Sequence, residues 1–467
     1  VEEKFAGKNV NPNSFLWSIA NRVSYWMNLS GPSLTLDTAC SSSLTAIYLA
    51  CEAIQKGECS GAIAGGVNLD LHQHKLDINM AGGALSEDGV CRSFGQGANG
   101  YVAGEGIGAL FLKPLDKALE DRDHIHGVIK SAVVNHGGKT SGYTVPSPKV
   151  QSELIASALK KADIDAKDIG YVEAHGTGTE LGDPIEIDGL TRAFEPYGVE
   201  KQSCSIGSIK SNIGHLEAAA GVVSVSKVLM QMKHKQLVPS LHSAKLNEFI
   251  DFGNSPFYVQ QELAPWQVRE VNGVRQPLLA GISSFGAGGA NAHVLIEEYI
   301  HAEESDDAGQ KSLLFPLSAR SEGQLKEMAI RLKACLESSF AGSEPLRLRD
   351  IAYTLQFGRK SFDHRLVIIA SSREQLLELL TTYIEGGKNQ NILSGNTKNG
   401  SDIHKLLNKK EREEFAGLLS QSRDNKKLAQ LWNSGVIADW QGFKAGSQGH
   451  RVSLPTYPFA DKRHWLA

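Results

Sequence analysis

A junction around Cys40 constrains the fold more than any other part of the sequence, because a strand-like segment passes there directly into a helix-like one. Residues 33–37 alternate polar and apolar side chains, which predicts a strand, and apolar residues recur at helical spacing from Leu44 until Gly57 offers a stop. Cys40 therefore lies at a predicted helix N-terminus. Unpaired N–H groups and the helix dipole favour a thiolate there and can lower a cysteine pKa from about 8.5 to roughly 3.5–7.5, so the thiol is a candidate nucleophile.

Cys40 by itself does not indicate catalysis, because a free cysteine is usually a small buried apolar residue. Three further motifs favour a catalytic site. The first is the segment 173–179, with the sequence EAHGTGT, which is followed by Gly182 and Asp183. Its histidine, His175, comes after a short apolar run and is surrounded by glycine and threonine, which is typical of a strand-end loop that approaches a ligand closely.

The other two motifs have the same strand-end character. Lys210 and His215 belong to the second motif, KSNIGH, which follows the strand-like segment 204–209 and precedes a predicted Ala-rich helix over residues 216–232. The third motif, SSFGAGGANAH over residues 283–293, is a Gly-rich loop that precedes a strand-like segment. Its backbone N–H groups could face an oxyanion.

In this order along residues 18–298, the motifs resemble the ketosynthases of modular polyketide synthases, which belong to the thiolase-fold family of condensing enzymes. The shared pattern consists of the Thr-Ala-Cys-Ser-Ser nucleophile loop, the His-Gly-Thr-Gly-Thr loop, the Asn-Ile-Gly-His loop and the Gly-rich loop that ends in Asn-Ala-His. One such motif is a weak signal, whereas four in the family's order are specific. The resemblance implies an α/β fold with a thiolase-like, layered α-β-α-β-α core.

The resemblance also implies a role for each candidate residue. Cys40 would carry an acyl chain as a thioester, and a malonyl-type extender on an acyl carrier protein would lose carbon dioxide and attack it in a decarboxylative Claisen condensation. His175 and His215 would stabilise the enolate and help to activate Cys40, while Lys210 would support the histidines. The backbone N–H groups of Cys40 and Ala287 match the family's oxyanion hole.

No cofactor or metal is expected. Cys40, His175 and His215 are chemically suited to zinc, but they lie on separate Gly-rich loops without a closely spaced Cys or His pair or an obvious fourth ligand. The phosphopantetheine arm of an acyl carrier protein would deliver the substrate without being a bound cofactor. The remaining cysteines are interpreted as reduced core or surface residues and five histidines as structural or solvent-facing: Cys51, Cys59, Cys91, Cys204, Cys335, His72, His74, His136, His293 and His364.

The chain departs from the usual pattern at its start, at Ala287 and around Gly95. Because it begins with Val1 and reaches Cys40 early, we expect a fragment of a longer polypeptide whose core lacks its N-terminal part. Ala287 stands where many relatives carry a bulky aromatic residue, which leaves more room for the acyl chain. Gly95 and Asn99 replace aspartate of many relatives. Ala287 and the version around Asn99 resemble the branch that works with free-standing acyltransferases.

Four regions are predicted along the chain. Residues 1–300 form the incomplete ketosynthase and residues 301–311 a polar linker. Residues 312–440 resemble the small α/β domain that links ketosynthase to acyltransferase, and residues 441–467 resemble the extended linker that follows an acyltransferase.

The small domain is predicted from two strand-like runs, 313–317 and 366–369, each followed by a helix. Ser321 with Gln324 and Ser371 with Glu374 are the expected capping pairs. No Gly-His-Ser-x-Gly elbow of an acyltransferase occurs in the sequence. The polar stretch 388–427 is interpreted as a solvated helix with a flexible approach. The alternatives are a remnant of a lost acyltransferase or a docking surface for a free-standing one.

Composition excludes several other classes of protein. A net charge of −4 is not the excess of basic residues that is typical of a nucleic-acid-binding protein. No apolar run reaches the roughly 18 residues of a membrane span. Six unclustered cysteines are typical of a reducing compartment, so we expect a cytoplasmic protein. The resemblance implies an acyl carrier protein as partner and a homodimer.

Two other functions stay open. A non-elongating ketosynthase would act as a transacylase or gatekeeper. Such relatives often lose the histidine at the position of His175, so its presence here favours condensation. The other alternative is a scaffold for carrier proteins, which the complete set of Cys40, His175 and His215 disfavours.

Overall fold

The computed structural model describes residues 15–301, 312–338, 346–399, 424–436, 440 and 449–462. The chain divides into two compact units. The first contains the described residues up to Lys117 together with Ile125–His301. The second contains the described residues after His301 and also the short segment Ala118–His124, which the sequence places inside the first unit.

Helices and strands alternate along much of the chain. The α-helices are Trp17–Met27 (α1), Ser42–Gln55 (α2), Gln73–Ala81 (α3), Leu115–Glu120 (α4), Pro148–Ala162 (α5), Gly182–Phe194 (α6), Lys210–Ile213 (α7), Ala220–His234 (α8), Glu322–Ser338 (α9), Leu348–Phe357 (α10), Arg373–Ile384 (α11) and Asn425–Asn433 (α12). The strands are Ala62–Asn68 (β1), Gly106–Leu112 (β2), Val128–His136 (β3), Tyr171–Glu173 (β4), Cys204–Gly207 (β5), Gln236–Leu237 (β6), Phe257–Val259 (β7), Ala264–Pro265 (β8), Glu270–Val271 (β9), Val274–Arg275 (β10), Leu279–Phe285 (β11), Ala290–Glu297 (β12), Leu313–Ala319 (β13), His364–Ala370 (β14) and Ile392–Asn396 (β15).

The first unit is organised around a six-stranded sheet with the order β3-β12-β11-β4-β5-β7. Strands β11, β4, β5 and β7 are parallel to one another, whereas β12 runs antiparallel to both β11 and β3. The four parallel strands therefore end at the same edge of the sheet. That edge carries the loops that follow β4, β5 and β11, which are the three motif-bearing loops other than that of Cys40.

Both faces of this sheet are covered by helices. On one face, Val172, Ile206 and Leu279 pack against the apolar sides of α5 and α6. On the other, Ala280 and Ile282 pack against α2 and α8, which also contact the antiparallel pair β1–β2. Each fully buried aliphatic side chain contributes about 1.5–3 kcal/mol. In the described residues the layers thus run helix, sheet, helix, sheet.

The second unit is built on a three-stranded antiparallel sheet, β13-β14-β15. One face packs against α9, α10 and α11, and the other packs against α12 through residues such as Trp432. The expected cap at Ser321 is confirmed, because its hydroxyl accepts the Gln324 N–H at 3.3 Å and donates to the Gln324 side chain. At α11 the expected cap is wrong by one residue, since Ser372 rather than Ser371 accepts the N–H of Gln375.

Three further expectations from the sequence are corrected. Residues 33–37 are not a strand, because alternation alone does not make one without a neighbouring strand to supply a hydrogen-bonding ladder. Most of the Gly-rich segment 283–293 belongs to β11 and β12, which leaves only residues 286–289 as a loop. The helix expected over 216–232 begins at Ala220, after a short 3-10 turn, and continues to His234.

The polar stretch 388–427 is only partly described. It contains β15 and the start of α12, so it is not simply a solvated helix, and its residues 400–423 lie outside the described part. Residues 302–311 of the expected linker, with 441–448 and 463–467 of the expected tail, also lie outside it. Residues 449–462 of the tail contain no helix or strand. Among the residues that the structure describes, no helix has the length and apolarity needed to span a bilayer.

Candidate active site

Cys40 lies on a sharp turn immediately before α2. Ala39 has a left-handed backbone with φ of 54°, an uncommon conformation for a residue other than glycine. The hydroxyl of Ser42 closes the turn, because it donates to the Ala39 carbonyl at 2.6 Å and accepts the Thr38 N–H at 2.9 Å. The turn therefore projects the Cys40 side chain from a constrained backbone at the start of a helix.

The structure brings the three predicted catalytic side chains together. The sulfur of Cys40 and one ring nitrogen each of His175 and His215 all lie within 4.8 Å of one another. His175 follows β4, and His215 follows α7, which itself comes after β5. Because β4 and β5 are adjacent and parallel, their C-terminal loops deliver both imidazoles to one place.

The ring of His215 is held as a hydrogen-bond donor. Its Nδ1 accepts the backbone N–H of Glu217 at 2.9 Å, so in the neutral ring the proton is on Nε2. Nε2 is buried and has no hydrogen-bond partner in the structure. Burial and the charges of Lys210 and Lys75 hold the pKa of His215 well below its usual range, so the ring is neutral at physiological pH.

His175 is held through its backbone rather than its ring. The two carboxylate oxygens of Glu186 accept the N–H groups of His175 at 2.7 Å and Gly176 at 2.8 Å. Its ring packs edge-on against that of His215, with the centroids 5.4 Å apart, and its Nδ1 is buried without a partner. Burial, Lys210 and His215 hold the pKa of His175 well below its usual range, so this imidazole is also neutral.

Lys210 is 2% exposed and supplies the positive potential of the site. Burial lowers its pKa, and the carboxylates of Glu173 and Glu186 act in the opposite direction. Burial also raises the pKa of Cys40, while Lys210 and the N–H of Ala287 lower it. The net direction is upward, contrary to the sequence-based expectation for a helix N-terminus, because desolvation of the thiolate outweighs the nearby N–H groups.

The predicted oxyanion hole has its two backbone donors in reach of the thiol. The N–H groups of Ala287 and of Cys40 itself interact with the Cys40 sulfur. The Ser284 hydroxyl donates to the Cys40 carbonyl at 2.7 Å, which ties the nucleophile turn to the end of β11. A Cβ on Gly286 would lie only 2.4 Å from the Thr38 carbonyl oxygen, so glycine is required for this close approach.

Sequence reasoning missed the carboxylates that support these residues. Glu173 accepts hydrogen bonds from the Ile209 N–H at 2.7 Å, the Tyr171 hydroxyl at 2.6 Å and Lys227 at 2.7 Å, and it is fully buried. Asp183 accepts the N–H groups of Phe94 and Gly178.

Glu173 is the one acidic residue of the EAHGTGT motif, and Asp183 comes four residues after it. An acidic residue in or beside a motif was the sequence signal that could have identified both. The sequence gives no comparable sign for Glu186, because only the fold brings its carboxylate to the two backbone N–H groups that it accepts. Burial raises the pKa of Asp183 to about 6 and that of Glu186 to about 7.

The same three side chains are the group, within the described part of the chain, that could hold a metal ion. Three ligands from Cys and His match the chemistry of a catalytic zinc site. Their separation in sequence therefore does not keep them apart in space. The neighbouring charge of Lys210, which affects Cys40 and both imidazoles, opposes the binding of a divalent cation.

Three protein-family models match the chain. The N-terminal domain of beta-ketoacyl synthase matches residues 4–118, and its C-terminal domain matches residues 126–244. The model named CurL-like, PKS C-terminal matches residues 313–380. The two ketosynthase models thus fall in the first unit and the third falls in the second.

Polyketide synthase PksL of Bacillus subtilis strain 168 is 46% identical over 100% of this chain, which spans 10% of that protein's length. Two solved ketosynthases have a TM-score of 0.88. One, from module 6 of the bacillaene synthase of Bacillus subtilis 168, is 41% identical and covers 97% of this chain and 78% of its own. The other, OzmH KS7 of the oxazolomycin system of Streptomyces albus JA3453, is 42% identical, with coverages of 100% and 76%.

This agreement extends over nearly all of the chain and over three quarters of each solved ketosynthase. It confirms the thiolase-like α/β fold that the motifs implied. The chain therefore belongs to the beta-ketoacyl synthase family, among the ketosynthases of polyketide synthases.

Proposed function

We propose that the chain catalyses a decarboxylative Claisen condensation with Cys40 as the acyl carrier. The observation that supports this proposal is the approach of the Cys40 sulfur and two neutral imidazoles to within 4.8 Å. In the first step the sulfur attacks the carbonyl of an acyl thioester on an acyl carrier protein. The bond to phosphopantetheine breaks, and the thiol proton of Cys40 goes to the departing pantetheine sulfur.

In the second step a malonyl-type extender on a carrier protein loses carbon dioxide. The electron pair of the broken carbon–carbon bond forms an enolate, whose carbon attacks the Cys40 thioester. Cys40 leaves as a thiolate and takes a proton from solvent. Both tetrahedral intermediates place their oxyanion near the N–H groups of Cys40 and Ala287.

The two histidines suit the decarboxylation step. With Nδ1 occupied by the Glu217 N–H, His215 presents Nε2–H as a donor toward the enolate oxygen and has no free lone pair for a base. His175 adds a second neutral ring beside it. Neutral donors stabilise a developing oxyanion without titrating in the physiological range.

Intact-protein mass spectrometry tests this assignment. Incubation with an acyl thioester should add the acyl mass at Cys40, and subsequent malonyl carrier protein should remove it as an extended product. Cys40→Ala should abolish loading, whereas His175→Ala should load normally and fail to extend. Equal loss of loading in both variants would contradict this division of roles.

The same experiment separates the other functions considered. Loading without extension by the unmodified protein would indicate a transacylase or gatekeeper. Absence of loading would indicate a carrier-protein scaffold. Complete conversion to extended product would exclude both.

We propose that the site works without a metal or a bound cofactor. The thiol proton leaves with the pantetheine sulfur, backbone N–H groups and neutral imidazoles stabilise the charge on the oxyanion, and Lys210 opposes a cation. Elemental analysis should find less than stoichiometric zinc, and chelation should leave loading unchanged. One equivalent of zinc, with loss of loading on chelation, would overturn this proposal.

We also propose the partners and location that the family implies. Acyl carrier proteins work with ketosynthases of polyketide synthases. We propose a homodimer, because the resemblance implies one and because apolar side chains of α1, such as Trp17 and Trp26, are exposed. Light scattering would measure the molar mass of the protein in solution. A free-standing acyltransferase would load the carrier protein. Cys40, Cys51, Cys59, Cys91 and Cys204 form no disulfide, which supports a reducing, cytoplasmic location.

A further inference from the structure

The loop that carries Ala287 is tied to the end of a strand that no motif identified. Strand β3 pairs with β12 up to the register pair His136 and Ala290. The ladder continues beyond the strands, because the Gly137 N–H donates to the Gly289 carbonyl at 2.8 Å. Residues 286–289 are thus held by backbone pairing with β3 as well as by their own hairpin.

The side chain of His136 makes a second connection to this loop. Its Nδ1 accepts the backbone N–H of Gly138 at 3.0 Å. A backbone N–H can only donate, so Nδ1 carries no proton and the neutral ring is protonated at Nε2. Nε2–H then donates to the Gly288 carbonyl at 3.0 Å. Both ring nitrogens are therefore used, one within the β3 turn and one across to the loop.

The His136 ring packs closely against the loop 286–289 at Gly289. Gly289 has a φ of +90°, and a Cβ there would lie 3.2 Å from two atoms of the His136 ring. On its opposite side the loop touches the nucleophile turn, where Gly286 packs against the Thr38 carbonyl. The loop is consequently clamped between the turn that carries Cys40 and the ring of His136, with Ala287 between the two contacts.

His136 is exposed to solvent, so its hydrogen bonds are not a requirement of burial. An exposed histidine has water available for both nitrogens, yet this one is fixed in a single tautomer by two backbone groups. The interpretation that it only contacts solvent does not account for the bond to the Gly288 carbonyl, one residue from the oxyanion-hole donor.

We propose that His136 is a positioning residue that orients the Ala287 N–H toward the oxyanion formed at Cys40. The inference rests on the proposed thioester chemistry. Full loss of one oxyanion-hole donor costs about 10²–10³ in rate. A displaced donor costs less, so removal of the His136 contact should slow acylation by about tenfold.

Two conservative variants separate the two ring nitrogens. His136→Gln keeps a donor at the position of Nε2, and His136→Asn keeps an acceptor at the position of Nδ1. With the acetyl thioester of N-acetylcysteamine as the acyl donor, His136→Asn should show a kcat for Cys40 acylation about tenfold lower with little change in KM. His136→Gln should stay within about twofold of the parent. Lys139→Gln, in the same exposed turn, is the matched control and should match the parent.

Alkylation by iodoacetamide distinguishes positioning from general damage. Alkylation of Cys40 forms no oxyanion, so its limiting rate, measured at pH values where the thiol is fully ionised, should be the same in the parent, His136→Asn and His136→Gln. Equal acylation rates in His136→Asn and the parent would overturn the inference, as would parallel loss of acylation and alkylation. If the parent itself fails to acylate Cys40, the proposed function fails instead, and the two failures are thereby distinguished.

Discussion

The Cys40 thiol is bordered by two regions that are stabilised in different ways. On the histidine side, Lys210 and two imidazoles are buried and depend on carboxylates such as Glu173 and Glu186. On the oxyanion side, the loop 286–289 contains no charged residue, and Ala287 is exposed. That loop is held by backbone hydrogen bonds, close glycine contacts and the ring of His136.

The difference matches the two tasks of the proposed mechanism. Buried charges set protonation states, but each needs a compensating partner in a region of low dielectric. Backbone N–H donors do not titrate, so the oxyanion side needs accurate geometry rather than charge balance. We therefore expect variants of the buried charged groups to affect stability and pH dependence, and variants of the loop 286–289 to affect the rate of acylation.

The largest expected effect is loss of stability when the buried ion pair on the histidine side is broken. Lys227→Met leaves Glu173 buried without its cation, 2.7 Å from where the ammonium was. Removal of one partner of a buried pair costs about 3–5 kcal/mol. Urea unfolding of the variant should show this decrease in the free energy of unfolding.

Two further variants bracket this result. Lys233→Met, at an exposed position on the same helix, should change the free energy of unfolding by less than about 0.5 kcal/mol. The double variant Lys227→Met with Glu173→Gln should recover part of the loss, since the uncompensated charge is gone. A single variant as stable as the parent would show that the pair is not needed for charge balance.

The next largest effect should be a slower rate on the oxyanion side. In Gly286→Ala the new Cβ would lie 2.4 Å from the Thr38 carbonyl and 2.9 Å from the Ala290 carbonyl, so the loop must move away from the nucleophile turn. We expect acylation of Cys40 to slow by about 10², the cost of a lost donor. Gly323→Ala, where a Cβ meets nothing within 4 Å, is the control. An unchanged acylation rate would mean that Ala287 is not a donor.

One buried titratable group next to the oxyanion loop allows a test by pH. Burial lowers the pKa of His293, whose ring bonds the Ser283 hydroxyl, to about 3. The unfolded chain, with a histidine pKa of about 6.5, binds a proton that the folded chain does not. Stability therefore falls as pH decreases below about 6.5, and His175 and His215 act in the same direction.

In His293→Gln, one proton fewer should be taken up when the chain unfolds below about pH 6.5. The slope of the free energy of unfolding between about pH 6 and pH 4 should decrease by about 1.4 kcal/mol per pH unit relative to the parent. Thermal or urea unfolding at several pH values measures it. An identical slope in the variant would mean that His293 is protonated in the folded protein.

The smallest effect is expected in the pH profile of Cys40 alkylation. Because Lys210 lowers the pKa of Cys40 against the effect of burial, Lys210→Met should move the iodoacetamide profile to higher pH. Lys160→Met, at an exposed position on α5, should leave the profile in place. A shift to lower pH would contradict the sign of the Lys210 contribution.

The motif-bearing loops could be predicted from sequence because their chemistry is local. Cys40, His175 and His215 stand beside glycines, prolines or caps that mark strand ends and helix starts, and parallel strands then bring such ends together. The pairing of Glu173 with Lys227 could not be predicted, since it joins β4 to α8 across 54 positions of sequence.

Other features also depended on tertiary structure. The strand expected over residues 33–37 failed because strand formation requires a partner, which periodicity does not reveal. The contact of His136 with Gly288 spans 152 positions and has no local signature. The raised pKa of Cys40 reflects burial, which a helix N-terminus in a sequence does not report.

The position of the short segment Ala118–His124 affects how hybrid polyketide synthases can be built. It belongs to the second unit, where the Arg451 N–H donates to the Arg122 carbonyl at 2.9 Å and the Arg451 guanidinium pairs with Asp123. A crossover placed after His301 would therefore join a downstream domain to a foreign version of this segment. Hybrid chains should tolerate the exchange best when residues 118–124 are inherited together with the downstream domain, although they lie far upstream of it in the gene.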